Sequence, residues 1–129
     1  MNQTPPNIGQ HWPGQGGIYA GIARGFNGQP DGHIVLLDDK PEEELNWKDA
    51  MAWAANLGDG ARLPERFEAL LIGANIHDKI SPQGYYWSSS EYSTTDAWYQ
   101  LWGSGYPGYQ YSTTKTSAYY VRAVRRLIL

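Results

Sequence analysis

The side chains in this sequence that could do covalent chemistry are few and poorly spaced for it. Ser88, Ser89 and Ser90 follow Trp87. They lack the Gly-x-Ser-x-Gly elbow that lifts a nucleophile out of a sheet, and no histidine follows them in the chain. A hydrolase triad would need His11, His33 or His77 folded back onto them. These histidines lie far apart and none has a His-x-x-x-His partner, so surface or core placement is the default. Asp38, Asp39, Glu42, Glu43 and Glu44 are oxygen donors suited to a hard cation. Their spacing matches no ligand loop, and an acidic run ahead of a helix is favoured by the helix dipole alone. Gly14-Gln15-Gly16-Gly17 precedes a strand instead of opening a helix, so it is not a phosphate cradle. The absence of cysteine excludes disulfides, thiolate zinc and a cysteine nucleophile. The expectation is a protein that is not an enzyme, with no metal and no cofactor.

Recognition chemistry is far better represented. The stretch from Tyr85 to Tyr120 holds every tyrosine except Tyr19, together with Trp87, Trp98 and Trp102 among runs of Ser, Thr and Gly. Its charged residues are Glu91, Asp96 and Lys115. Tyr and Trp offer large rigid contact area at low entropic cost, and Ser, Thr and Gly add adaptable hydrogen bonding. The same residue types also suit half-buried strands, so position along the strands decides between recognition and sheet filling.

The elements that must hold these residues are short. With 129 residues, 41% of them hydrophobic and 14% aromatic, the chain suits one compact domain with a real core. Abundant Gly and Pro predict many turns. After a polar lead-in over residues 1–16 that Trp12 can pin, Ile18, Ala20 and Ile22 alternate with smaller or polar residues, and His33 to Leu37 is a second apolar run. The intervening Asn27-Gly28 and Pro30-Asp31-Gly32 predict a β-hairpin. Asn46 can cap a helix carrying Trp47, Ala50, Met51, Ala54 and Leu57 at helical spacing, with Gly58 as the stop. A second short helix is expected from about Pro64 to Gly73, with Phe67, Leu70 and Leu71 inward. Strands follow at Tyr85 to Ser89, Ala97 to Trp102, Tyr109 to Thr113 and Tyr119 to Leu127. This order predicts an α+β fold, mostly antiparallel sheet with two helices, over residues 17–129.

Several motifs recur together. Trp47 and Ala50, then Arg62-Leu63-Pro64 with Glu68 and Leu71, then Tyr86-Trp87-Ser88-Ser89-Ser90, then Val121-Arg122-Ala123-Val124-Arg125 stand in that order. In this the chain resembles the domain family also called the C-terminal domain of Legionella collagen-like protein, which small proteins of tailed bacteriophages are similar to as well. The resemblance spans roughly Gly17 to Arg126 and implies a C-type-lectin-like fold. It departs from cellular members in having Ala54 or Ala55 and Ala123 where they often carry cysteine. It also lacks the Glu-Pro-Asn and Trp-Asn-Asp loops of calcium-dependent lectins. Trp47, Arg62, Glu68, Trp87, Arg122 and Arg125 are therefore expected to be structural, the arginines pairing with Glu65 or Glu68 in a buried ion pair.

In lectin-like folds the late region faces the ligand. The ligand-contacting residues expected are thus Tyr92, Trp98, Tyr99, Trp102, Tyr106, Tyr109, Tyr111 and Thr113, with Trp98 and Gln100 on one strand face and Tyr99 and Leu101 on the other. The leading expectation is a binding module of phage or prophage origin that recognises a host protein or a surface glycan. Its rivals are a small intracellular phage effector that inhibits a host defence protein, and a tail or fibre component with avidity from homo-oligomerisation. Nucleic acid is disfavoured by the net charge of −3 and the single small basic cluster at Arg122, Arg125 and Arg126. No signal peptide or membrane-spanning run is apparent, which points to the host cytoplasm or a virion as the location.

Overall fold

The two apolar segments after Gly17 build the first sheet, the first of them interrupted by a bulge between Tyr19 and Gly21 that leaves Ile22 exposed. The computed structural model describes residues 4–25, 28–103 and 108–129. Strands β2 (Gly17–Ala23) and β3 (Gly32–Leu37) form the expected antiparallel hairpin, with Ile18 opposite Leu36 and Ile22 opposite His33. Of its turn signals, Gly28 takes a positive φ, whereas Asn27 lies outside the described residues. Strand β1 (His11–Trp12) pairs with β2, and β7 (Val124–Ile128) pairs with β3, giving the order β1-β2-β3-β7. The lead-in is thus partly drawn into the sheet. Trp12 is buried, edge-on to Tyr19 and His33, and the Tyr19 hydroxyl meets His33 Nδ1 at 2.7 Å. Gly17 is required by contact: a Cβ there would lie 2.0 Å from the Leu36 carbonyl oxygen.

Helix α1 (Trp47–Ala55) starts where the sequence places it, because the Asn46 side chain accepts the Asp49 backbone N–H at 2.9 Å. Ala50 and Ala54 are fully buried on its inner face. Asn46→Ala removes this cap and is expected to cost about 1 kcal/mol, read as a shifted midpoint in urea at unchanged slope. An unchanged midpoint would mean that tertiary contacts alone fix the helix start.

Helix α2 (Arg66–Ile76) differs from expectation at both ends. Pro64 stays outside it because its carbonyl accepts the Ser89 N–H, and the extended Glu65 is the N-cap. Gly73 does not stop it, since Ile72 and Ile76 are both fully buried and continue one inner stripe. That stripe consists of Glu68, Ala69, Ile72, Gly73 and Ile76, so the expected inward Leu70 points out and is 43% exposed.

The second sheet, in the order β4-β5-β6, is an antiparallel meander of β4 (Gly84–Glu91), β5 (Asp96–Trp102) and β6 (Gln110–Thr114). Its even-numbered residues Tyr86, Ser88, Gln100, Trp102 and Gln110 face α2, where Gln100 Nε2 and Trp102 Nε1 both donate to the Ala69 carbonyl. Trp87 points the other way into a core shared with α1, its indole N–H donating to the Leu45 carbonyl.

The expected strand from Tyr119 to Leu127 is broken. Tyr119 bridges Leu45, Tyr120 bridges Tyr86, and only from Val124 does the chain join the first sheet. The reason is that this segment has neighbours in both sheets: Tyr120 exchanges backbone hydrogen bonds with Tyr85 and Trp87, while Val124 exchanges them with Arg62. The architecture is α+β, with mostly antiparallel sheets and two helices. No helix among the described residues is long and apolar enough to cross a membrane.

Candidate functional site

Strand register decides which aromatics can meet a ligand. Trp87 lies opposite Tyr99, and Tyr99 opposite Tyr111, so the odd-numbered residues of β4, β5 and β6 share one face. At one end that face is closed over Trp87 by Tyr119 and the Leu45 segment. The remainder is open and carries a connected set of tyrosines. Tyr99 sits at the centre, stacked on Tyr119 at 4.6 Å between ring centroids, with Tyr85 edge-on at 5.3 Å and Tyr111 tilted at 6.0 Å. Tyr109 extends the set, edge-on to Tyr111 at 6.2 Å. Tyr85, Tyr109 and Tyr111 are each about half exposed, at 44%, 50% and 49%. Such rings are held in place by their neighbours while about half of each stays exposed, so little side-chain freedom remains to be lost on binding.

Burial pushes the Tyr99 hydroxyl above the usual phenol range, and the neighbouring Tyr119, Tyr85 and Tyr111 push it further. At neutral pH it is therefore a neutral group that can both donate and accept. Charge is confined to the border, where the Lys115 ammonium binds Glu91 at 2.6 Å and the Thr94 carbonyl at 2.9 Å, and lies over the Trp47 ring.

The expected ligand-contacting residues divide. Tyr99, Tyr109, Tyr111 and the half-buried Thr113 belong to the tyrosine face. Tyr92 and Trp98 do not join them. They form a separate patch on the α2 side, with the Arg66 guanidinium 3.5 Å above the Trp98 ring and Tyr92 edge-on to it at 5.4 Å. Trp102 is a correction: at 1% exposure, packed on Tyr86 at 4.7 Å, it is a core residue that no ligand can reach from outside. Tyr106 lies outside the described residues. Tyr85 and Tyr119 stand outside the expected ligand-contacting set, yet Tyr85 is exposed, Tyr119 is half-buried and both complete the face. The signal for Tyr85 was its odd-numbered parity with the core residue Trp87, readable once a register is known.

The structural set also needs one correction. Glu68 is fully buried and takes both guanidinium nitrogens of Arg62, at 2.6 and 2.8 Å, with Glu65 N–H at 2.9 Å. Its second cationic partner is Arg126 at 3.1 Å, not Arg122 or Arg125. Arg122 instead donates twice to the Leu37 carbonyl, and Arg125 donates to the carbonyls of Asp59 and Gln15. Burial works against the Glu68 anion, but the hydrogen bonds and charge of Arg62, the Glu65 N–H and Arg126 prevail and hold its carboxyl below the usual carboxylate range. Arg62, Arg125 and Arg126 line a cleft of about 280 Å³, with many of their donors already engaged by Glu68 and backbone carbonyls. Trp47 donates to the Ser88 carbonyl at 2.9 Å and fastens α1 to β4.

Among the described residues, no three His, Asp or Glu side chains converge as metal ligands. Ser88 Oγ donates to the Trp98 carbonyl and accepts the Ser90 N–H, which ties it to the backbone of the sheet. A comparison with protein-family models finds no match, and a comparison with curated proteins finds no similar sequence.

Proposed function

We propose that this protein is a non-enzymatic recognition module that binds a partner protein through the tyrosine face of its second sheet. The observation that carries this reading is the ring of Tyr85, Tyr109 and Tyr111, each half exposed around the stacked pair Tyr99 and Tyr119. Aromatic residues on a rigid, weakly charged surface are the usual source of binding hot spots. An open sheet face suits a protein surface better than a small ligand, which favours concave sites. The order of elements, with two helices between antiparallel sheets, supports a C-type-lectin-like reading of the scaffold. A phage or prophage origin fits the motif order that the chain resembles.

The test replaces Tyr85, Tyr109 and Tyr111 together with serine. Among the described residues each ring has one or two ring neighbours, so at about 1 kcal/mol per site the triple variant should lose about 3 kcal/mol, on the order of 10 °C in melting temperature, and remain folded at 25 °C. Immobilised wild-type protein is expected to retain a specific protein from a lysate of the source organism and its host. Direct titration with that protein should show affinity reduced by about 30-fold or more in the triple variant. Retention unchanged by the substitutions would overturn the assignment to this face. Binding on a glycan array that the substitutions abolish would keep the face and replace the partner class.

A further inference from the structure

The second sheet has two edges, and they differ. The outward backbone groups of β4 are engaged: Tyr85 O and Trp87 N–H bond to Tyr120, and Ser89 N–H bonds to Pro64. Strand β6 has no such cover among the described residues. Leu101 N–H bonds Tyr109 O, and Lys115 N–H bonds Thr95 O, so the odd-numbered residues of β6 turn their backbone toward β5. Gln110, Ser112 and Thr114 therefore turn theirs away from the sheet. Among the described residues, only the Thr114 carbonyl of these outward groups has a partner, the Ser117 N–H. Natural edges are usually guarded by charge or proline, because an open row of N–H and C=O groups is a template for another strand. From Gln110 to Thr114 this edge has neither. The nearest lysine, Lys115, is held toward β5 and α1 by Glu91, Thr94 and Trp47.

We propose that β6 is a self-association edge, on which a second copy of this chain pairs antiparallel about a two-fold axis through Ser112. The sequence is complementary to itself in that register. Ser112 meets its own copy, Gln110 meets Thr114, Tyr111 meets Thr113, and Tyr109 meets Lys115, so no like charges face each other across the seam. The Ser112 N–H and C=O groups exchange bonds across the axis, and the Thr114 N–H donates to the Gln110 carbonyl of the other copy, the Thr114 carbonyl being held by Ser117. The two sheets become one, and the two tyrosine faces lie side by side on the same side of it. This goes beyond the recognition reading and does not depend on it, because self-association is measured on purified protein without a ligand.

A five-residue edge is a small interface, so a weak dimer is expected, with dissociation in the range of about 10 to 100 µM. Sedimentation velocity from about 1 µM to about 1 mM should show a concentration-dependent dimer. Amide exchange should show Ser112 and Thr114 gaining protection with concentration, while Tyr111 and Thr113 stay protected throughout. Ser112→Pro removes an N–H that has no partner among the described residues, so the variant should fold and remain monomeric. Ser112→Lys, which sets two ammonium groups face to face at the axis, should weaken the dimer by about tenfold or more even if the proline variant fails to fold. A wild-type protein that is monomeric at about 1 mM, or a dimer that survives both substitutions, would overturn the proposal. So would a dimer whose formation leaves Ser112 exchange unchanged.

Discussion

Glu68→Gln is expected to be among the most damaging single substitutions in this protein, lowering stability by about 3 kcal/mol at neutral pH. The carboxylate is inaccessible to water and is the shared anion of Arg62 and Arg126. Removing one member of a buried charge pair typically costs about 3 to 5 kcal/mol, because the remaining charge loses its compensation. The lower figure applies here since the Arg62 side chain is 31% exposed and can recover some hydration. The melting temperature should fall on the order of 10 °C. The effect has a defined pH dependence. The folded-state carboxyl titrates below the ordinary value of 4.5, so the unfolded chain takes up this proton first on acidification. Its contribution is complete above about pH 4.5 and is lost as pH falls through the folded-state value. Urea titrations of wild type and variant should therefore differ most at neutral pH and converge in acid. A gap that stays constant down to about pH 2 would place the stabilisation in packing and not in the anion.

Trp102→Ala should cost about as much, on the order of 3 to 5 kcal/mol, the usual penalty for emptying the space of a large core aromatic. The indole fills the layer between α2 and the second sheet, against Tyr86 and the Ala69 carbonyl. Trp102→Phe separates the two contributions. It keeps a ring against Tyr86 and gives up the N–H, and Ala69 retains Gln100 as a donor, so about 1 kcal/mol is expected. Thermal and urea unfolding of both variants check this ordering. A Trp102→Ala protein of wild-type stability would instead restore Trp102 to the ligand-contacting set.

These two residues also mark where the sequence was readable and where it was not. Asn46 as a cap, the two apolar segments of the first hairpin and the strand–helix–strand order were legible because local hydrogen bonding and apolar patterning determine them. Alternation correctly placed Trp98 and Gln100 together and Tyr99 on the opposite face. It could not say which face α2 would cover, since that follows from docking Ala69 and Ile72 over the sheet. Trp102 thereby belongs to the core and not to the ligand-contacting set, and Tyr85 joins the open face. The ion pair was half legible: Arg62 and Glu68 are close in sequence, with Glu68 fixed at the helix start by its capping bond to the Glu65 N–H, but Arg126 lies 58 residues from Glu68. Choosing it over Arg122 and Arg125 requires knowing that the chain leaves one sheet at Tyr120 and enters the other at Val124.

That passage of the chain between the sheets bears on how the molecule comes apart. Within a few residues, Tyr119 and Tyr120 close the second sheet, and Ala123 and Val124 close the first against Leu37 and Arg62. The Arg122 side chain reaches Leu37 across 85 residues of sequence. Neither sheet can shed this strip without uncovering the edge of the other, so opening in one is transmitted to its neighbour as exposed backbone. The two layers are thus one cooperative unit in unfolding. Closing such distant contacts is the entropically costly step of assembly, which makes the seam, and not either helix, the natural place for the folding barrier.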